Sequence, residues 1–135
     1  MKIVIDTNIF IAAIIKPSFV RRLIVESNAD LLFPETIIEE IEKNKDEILR
    51  KSGLSDEDLQ TVINILLDYV ELIPKSEIRP YMKEASGIIN RIDPEDTPFI
   101  AACLAQNAIL WSDDKDLKKQ IKIKVLNTKE IMRIL

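Results

Sequence analysis

The sequence of 135 residues contains no histidine, one cysteine and only two glycines. The absence of imidazole excludes catalysis by serine–histidine or cysteine–histidine pairs, and it excludes metal sites with histidine ligands. Cys103 alone forms no intramolecular disulfide and leaves no Cys/His set for zinc. Gly53 and Gly87 are too few for a phosphate-binding loop or a dinucleotide-binding turn, so enzymes that use nucleotide cofactors are excluded.

The chain also lacks an apolar run of the about 20 residues that a membrane-spanning helix requires. Residues 1–2 lead directly into an apolar run rather than into a signal peptide, so we expect a cytoplasmic protein without a membrane partner. Hydrophobic residues make up 47% of the sequence and charged residues 31%, which is typical of globular proteins. The length predicts one domain over residues 1–135.

Short β-branched runs alternate with amphipathic segments, which predicts a three-layer α/β/α sandwich around a mostly parallel sheet. The strands are predicted at residues 2–5, 30–33, 71–73, 109–111 and 124–126. We predict a helix that Thr7 or Asn8 caps and that ends at 15, and a second helix over 19–27 with Ser18 as its cap. Further helices are predicted at 34–53, at 55–70, where Ser55 and Asp58 have the capping-box arrangement, at 81–90, at 93–106 and from 128 onward. The pattern indicates a connection without regular structure at 75–80.

The sequence is rich in carboxylates, with 23 Asp and Glu residues. Without imidazole or thiolate partners, such side chains suit hard cations. Asp6 directly follows the first strand, and Asp114 follows the strand that ends at Trp111. Because parallel strands deliver their carboxyl ends to one edge of the sheet, these acids can converge there. Asp96, in the first turn after Asp93-Pro94, can join them.

A fourth acid comes from the helix predicted after Pro34. Residues placed at 100° intervals put Glu40 and Glu42 on the two borders of its apolar stripe and point Glu39 to solvent. Periodicity therefore leaves Glu40 and Glu42 as alternatives.

Gathering several carboxylates is costly, because like charges within about 4–6 Å disfavour ionisation. A divalent cation removes this repulsion, polarises a phosphoryl group and lowers the pKa of a bound water. Phosphodiester hydrolysis without histidine is the predicted chemistry. In the lysine-rich last quarter of the chain, Lys115, Lys118 and Lys119 are candidates for phosphate contacts, although such segments are often only a solvated face.

Four motifs, in order across nearly the whole chain, resemble the PIN-domain family of metal-dependent ribonucleases, which includes VapC-like proteins. The segment 3–8 (IVIDTN) resembles the family's opening strand followed by an Asp-Thr/Ser-Asn motif. The segment 34–41 (PETIIEEI) resembles the family's helix that bears a glutamate. The family's Asp followed by an Ala-rich helix resembles 96–102 (DTPFIAA). Its Thr/Ser-x-Asp-x-Asp-Phe turn resembles 112–117 (SDDKDL).

This resemblance implies a Mg²⁺ or Mn²⁺ site with four catalytic ligands, Asp6, Glu40, Asp96 and Asp114, and with Asp116 as an auxiliary metal ligand. It further implies that Asn8 and Ser112 orient the site. The implied activity is endonucleolytic cleavage of single-stranded RNA by a homodimer. The protein would be either a toxin paired with an antitoxin protein or an RNA-processing nuclease.

Several alternatives remain at this point. The same ions suit a phosphohydrolase acting on DNA or nucleotides, because nothing in the sequence identifies a group that reads a 2′-hydroxyl. A non-catalytic PIN-like module that binds RNA or protein is a third class. Asp96 can be a first-turn helix acid, and Asp113 and Asp116 can belong to a polar turn that caps a short helix.

Overall fold

Five short parallel strands form one sheet in the computed structural model of the protein, which describes residues 1–135. The sheet order is β3-β2-β1-β4-β5, and every neighbouring pair is parallel. The strands are β1 Lys2–Ile5, β2 Asp30–Pro34, β3 Glu71–Ile73, β4 Ile109–Trp111 and β5 Val125–Leu126. The predicted α/β sandwich with a parallel sheet is confirmed.

The chain changes direction across the sheet at β1. From β1 it builds β2 and β3 on one side, then returns to place β4 and β5 on the other side. In open parallel sheets, ligands bind outside the carboxyl ends of the strands at such a reversal of order. The residues that follow β1 and β4 therefore flank the expected binding crevice.

Nine α-helices connect and cover the strands. They are α1 Thr7–Ile15, α2 Phe19–Glu26, α3 Ile37–Lys43, α4 Lys45–Ser52, α5 Asp56–Leu67, α6 Lys75–Ile78, α7 Met82–Ile89, α8 Thr97–Gln106 and α9 Thr128–Ile134. Short 3-10 turns occur at Arg79–Tyr81, Pro94–Asp96 and Lys115–Lys119. None of the helices combines the length and apolar character that crossing a bilayer requires.

Side-chain caps explain where several helices begin. Ser18 accepts from the Arg21 amide at the start of α2, and Ser55 accepts from the Asp58 amide at the start of α5, as predicted. Asn127 forms a capping box at α9. The prediction for α1 is wrong by one residue, because Asp6 rather than Thr7 or Asn8 is the N-cap position, and its side chain makes no capping bond.

The single helix predicted over 34–53 is two helices. Pro34 is the last residue of β2 and pairs with Ile73, so α3 begins only at Ile37. Asn44 ends α3, because its Nδ2 donates a 2.8 Å hydrogen bond to the carbonyl of Glu40. Gly53 ends α4 with φ of 70°, the left-handed conformation that glycine adopts at low cost.

The predicted connection at 75–80 is also wrong, because it contains α6 and most of the following 3-10 turn. A backbone bond from Glu77 to the carbonyl of Pro74 closes the first turn of α6. Four residues are too few for apolar periodicity to reveal.

The core consists of 34 buried apolar residues on the strands and the helices that cover them. Phe33 on β2 makes edge-to-face contacts with Phe10 on α1 and Phe99 on α8, with ring centroids 5.2 and 5.9 Å apart. Trp111 is fully buried, and its indole Nε1 donates a 3.1 Å hydrogen bond to Oγ1 of Thr128. These contacts pack the core beneath the crevice.

Candidate metal centre

An acidic cavity of 710 Å³ lies where the chain leaves β1 and β4. Its volume falls within the about 300–1,000 Å³ of typical ligand sites. Its acidic lining residues are Asp6, Glu40, Glu47, Asp93, Glu95, Asp96 and Asp114. Four of these, Asp6, Glu40, Asp96 and Asp114, are the acids selected from the sequence, so the fold brings them to one cavity.

Asp6 occupies the end of β1. Its backbone amide donates a 3.0 Å hydrogen bond to the carbonyl of Trp111, which joins the ends of β1 and β4. Burial raises the pKa of the Asp6 carboxyl, while hydrogen bonds from Ser112 and from the amides of Thr7 and Asn8 lower it. The net effect is a raised pKa, because the loss of hydration outweighs these bonds.

Ser112 links the acid after β1 to the acid after β4. It is buried, and its Oγ donates to Oδ2 of Asp6 at 2.7 Å while accepting from the amide of Asp114 at 3.1 Å. Its own amide donates to the carbonyl of Leu126 on β5. The hydroxyl therefore fixes both acids relative to the sheet edge.

Asp96 lies in the 3-10 turn before α8, opposite the strand ends. One carboxylate oxygen each from Asp93, Asp96 and Asp114 lie within 4.8 Å of one another. Burial, the charges of Asp6, Asp93 and Asp114, and a hydrogen bond with Asp93 raise the pKa of Asp96 to about 7. No lysine or arginine forms a salt bridge with Asp93, Asp96 or Asp114.

Glu40 reaches the cavity from α3. It is half-buried, and its Oε2 accepts a hydrogen bond from Oγ1 of Thr7 at the start of α1. Glu42 is exposed and lines a different cavity, between α3 and α5. Glu39 forms an exposed ion pair with Lys75. Of the two acids that periodicity left open, only Glu40 lies beside Asp6.

Two acids near the site differ from expectation. Asp116, predicted as an auxiliary ligand, does not line the cavity: its carboxylate pairs with Lys119 at 2.9 Å, and only its backbone amide contacts Asp114. Asp93, which is not among the predicted ligands, lies in the cluster and also accepts a hydrogen bond from the amide of Glu95. Its spacing of three residues from Asp96 was the available signal.

The remaining predicted residues surround the acids. Asn8 is exposed and lines the acidic cavity. Lys118 forms an ion pair with Glu130, and Lys119 forms the pair with Asp116. Lys115 lines a neighbouring cavity of 360 Å³ that also includes Asp114.

Asp113 has a structural contact at the start of α9. Its two carboxylate oxygens accept from the amide and hydroxyl of Thr128 at 2.7 and 2.9 Å. Thr128 in turn accepts from the indole of Trp111. This network anchors the segment that carries Asp114 onto β4 and α9.

Comparisons with known proteins agree with this geometry. A family model for the PIN domain matches residues 4–133. The chain belongs to the PIN-domain family, whose members are nucleases, as its motifs predict. A matching solved structure is VapBC2 from Rickettsia felis bound to a DNA fragment from their promoter. One of its chains is 20% identical, with a TM-score of 0.72 over 94% of this chain and 98% of that chain. No curated protein sequence matches the chain significantly.

The donor set fits the divalent ions that PIN nucleases use. Every candidate ligand is a carboxylate, with no imidazole or thiolate in reach, which favours Mg²⁺ or Mn²⁺ over Zn²⁺. Burial raises the pKa of Asp96, and the charges of Asp6, Asp93 and Asp114 raise it further, so part of the shift reflects repulsion among neighbouring carboxylates. A divalent cation at this position would offset that repulsion.

Proposed function

We propose that the protein is a Mg²⁺- or Mn²⁺-dependent endoribonuclease that hydrolyses phosphodiester bonds in single-stranded RNA. The observation that carries this proposal is the convergence of Asp93, Asp96 and Asp114 within 4.8 Å in the acidic cavity of a PIN domain. Carboxylates at this spacing suit a hard cation and a phosphate substrate, and leave no group for nucleophilic catalysis by histidine or cysteine.

Asp96 and Asp114 would hold the ion together with Asp93, and Asp6 and Glu40 would complete the acidic shell. When bound, the ion supplies Lewis-acid polarisation of the phosphoryl group and activates water at neutral pH. Ser112 orients the Asp6 carboxylate, and Thr7 orients that of Glu40. Outer hydrogen bonds of this kind set the direction and basicity of metal ligands.

A nucleic-acid substrate is supported by the composition of the chain and by the lysines in and beside the cavity, whereas the choice of RNA over DNA rests on the resemblance to the PIN-domain family. Aromatic residues make up only 5% of the sequence, so base stacking contributes little and phosphate contacts must supply most of the affinity. Lysines that line the acidic cavity and its neighbour are available for such contacts. The cytoplasm is the compartment in which such a nuclease would meet RNA.

The biological role that we favour is that of a toxin held by an antitoxin protein, with RNA processing as the alternative. The structural likeness to a chain of a VapBC2 complex supports this choice. We further propose a homodimer formed through α1 and α2, because Phe19 and Val25 on α2 are exposed. Light scattering of the purified protein, alone and coexpressed with a small protein encoded beside it, tests both assemblies.

The decisive experiment is cleavage of a circular single-stranded RNA, which has no ends for an exonuclease. Wild-type protein should cut the circle with Mn²⁺ or Mg²⁺ and lose this activity in chelator. Asp6→Asn and Asp96→Asn should abolish cleavage while the circular dichroism spectrum stays unchanged. Asp116→Asn is the matched control, because its carboxylate pairs with Lys119 outside the cavity.

A parallel panel of single-stranded DNA and nucleotides separates the other enzyme class. Cleavage of DNA or nucleotides in preference to RNA would replace the ribonuclease proposal with a general phosphohydrolase. Equal activity of wild type and both aspartate variants would assign the signal to a contaminating nuclease. Calorimetry without Mn²⁺ binding would indicate a non-catalytic module.

A further inference from the structure

The acidic cavity extends well beyond the acids. It continues between α1, which contributes Ile11 and Ile15, and the pair α3 and α4, which contribute Lys43 and Lys51. Both isoleucines are only partly buried, so they offer apolar surface inside the cavity. The stretch of α1 from Thr7 to Ile15 is about 12 Å long. This length leaves room for substrate on one side of the reacting phosphate.

Lys43 is the unpaired cation in this part of the cavity. It lies three residues after Glu40 on α3, so both side chains project from the same face of the helix. Lys43 forms no salt bridge, whereas Lys51 pairs with Glu47 at 3.0 Å. An exposed ammonium group close to an acidic cluster is placed to bind a substrate phosphate that neighbours the reacting one.

Open space also continues on the far side of the acids. Asp114 also lines the 360 Å³ cavity that contains Lys115 and Lys129. Neither of these lysines forms a salt bridge. The acids therefore stand between two accessible regions, each of which has free positive charge.

We propose that a single RNA strand crosses the acids from one region to the other. Lys43 binds a phosphate on one side of the scissile bond, and Lys115 and Lys129 bind phosphates on the other side. A strand held on both sides is cut internally, whereas a cavity closed beyond the acids would accept only an end. The cleavage chemistry rests on the proposed function, but the strand path concerns binding and can be tested without cleavage.

The binding experiment uses an Asp96→Asn/Asp114→Asn parent, which is designed to hold RNA without cutting it. Affinity for a short fluorescent single-stranded RNA is measured by anisotropy over a series of salt concentrations. The test variants are Lys43→Gln and the pair Lys115→Gln/Lys129→Gln. Lys83→Gln on α7 is the control, because Lys83 is exposed, unpaired and outside these cavities.

Each lost phosphate contact should reduce the slope of log affinity against log salt by about 0.7. Raising the salt concentration from about 50 to 200 mM weakens RNA binding by some factor for each protein. That factor should be about threefold smaller for the Lys43→Gln variant than for the parent. The Lys115/Lys129 variant should show a similar or larger change, and combining both sets should give additive effects because the sites are separate. Lys83→Gln should match the parent.

Three results would overturn the proposed strand path. Test variants that match Lys83→Gln would remove these lysines from the binding surface. An effect of Lys43→Gln alone would confine the strand to one side of the acids. A parent that binds no RNA at any salt concentration would exclude the path as a whole. Failure of the nuclease proposal is separate, because it requires wild-type protein with Mn²⁺ to leave the circular RNA intact.

Discussion

Ser112 Oγ donates a 2.7 Å hydrogen bond to Oδ2 of Asp6, although the two residues are 106 positions apart in the chain. The bond is buried and joins the segment after β4 to the end of β1. It counteracts part of the effect of burial on Asp6 by stabilising the charged carboxylate. A single hydroxyl thereby links the two strand ends that carry Asp6 and Asp114.

Replacing Ser112 with alanine should weaken divalent-metal binding by about 10–100-fold, because Asp6 loses its orienting donor and its pKa rises. Isothermal titration with Mn²⁺ measures this change. Ser112→Thr keeps the hydroxyl and should retain more of the affinity than Ser112→Ala. Equal affinities for wild type and Ser112→Ala would show that the bond does not support the metal site.

Asp96→Asn should stabilise the metal-free protein and abolish its stabilisation by metal. The substitution removes one charge from a cluster whose members repel one another, so the melting temperature in chelator should rise by roughly 2–6 °C. Added Mn²⁺ should then produce little further increase. Thermal melts with and without Mn²⁺ test both effects.

Asp116→Asn is the matched control for these melts. It removes the same charge from a carboxylate that does not line the acidic cavity, so the increase caused by Mn²⁺ should match that of wild type. A loss of the Mn²⁺ effect in Asp116→Asn would restore Asp116 as a ligand.

The metal-free protein should lose stability as pH rises from about 4 through about 7. Asp96 has a folded-state pKa of about 7, whereas an unperturbed aspartate has a pKa of 3.8, so the folded state binds more protons than the unfolded state in this interval. Its stabilising contribution is complete below the unfolded pKa and is lost as pH rises through the folded one.

Melting temperatures in chelator, measured for wild type and Asp96→Asn at several pH values, isolate this effect from that of other groups. The advantage of Asp96→Asn over wild type should grow toward pH 8, and Mn²⁺ should stabilise wild type more at pH 8 than at pH 5. A difference between the two proteins that does not change with pH would contradict the raised pKa of Asp96.

Thr7→Val should lower cleavage activity without a comparable loss of stability. Valine has nearly the shape of threonine but lacks the hydroxyl that donates to Glu40, so the Glu40 carboxylate loses its fixed orientation. We expect kcat to fall by about 10-fold or more, as for other outer partners of metal ligands. Thr7→Ser should restore most of the activity, and failure of this rescue would assign the defect to packing.

The strand-end acids could be predicted because their positions follow from short-range patterns. β1 ends in an apolar run directly before Asp6, and β4 ends two residues before Asp113 and three before Asp114. A parallel sheet brings such ends together whatever the intervening chain does. Ser112 followed from the family motif, and its two hydrogen bonds explain why a hydroxyl suits that position.

The remaining features depend on tertiary contacts that apolar periodicity does not contain. The break at Asn44 comes from a side-chain bond to its own helix, so the stripe of α3 and α4 reads as one helix. Glu40 rather than Glu42 belongs to the acidic cavity, and the contact that holds it there comes from Thr7, which is distant in sequence. Asp93 acts both as a cap and as a member of the acidic cluster. The capping pattern of the sequence reveals only the first of these roles.

The sheet order has a consequence for synthesis of the protein. Translation produces β1, β2 and β3 first, and these strands can pair while one side of β1 remains open. Asp114 follows β4, which fills that side only after about four-fifths of the chain has been made. The nascent chain therefore cannot assemble the cluster of Asp93, Asp96 and Asp114 until β4 has emerged and paired with β1.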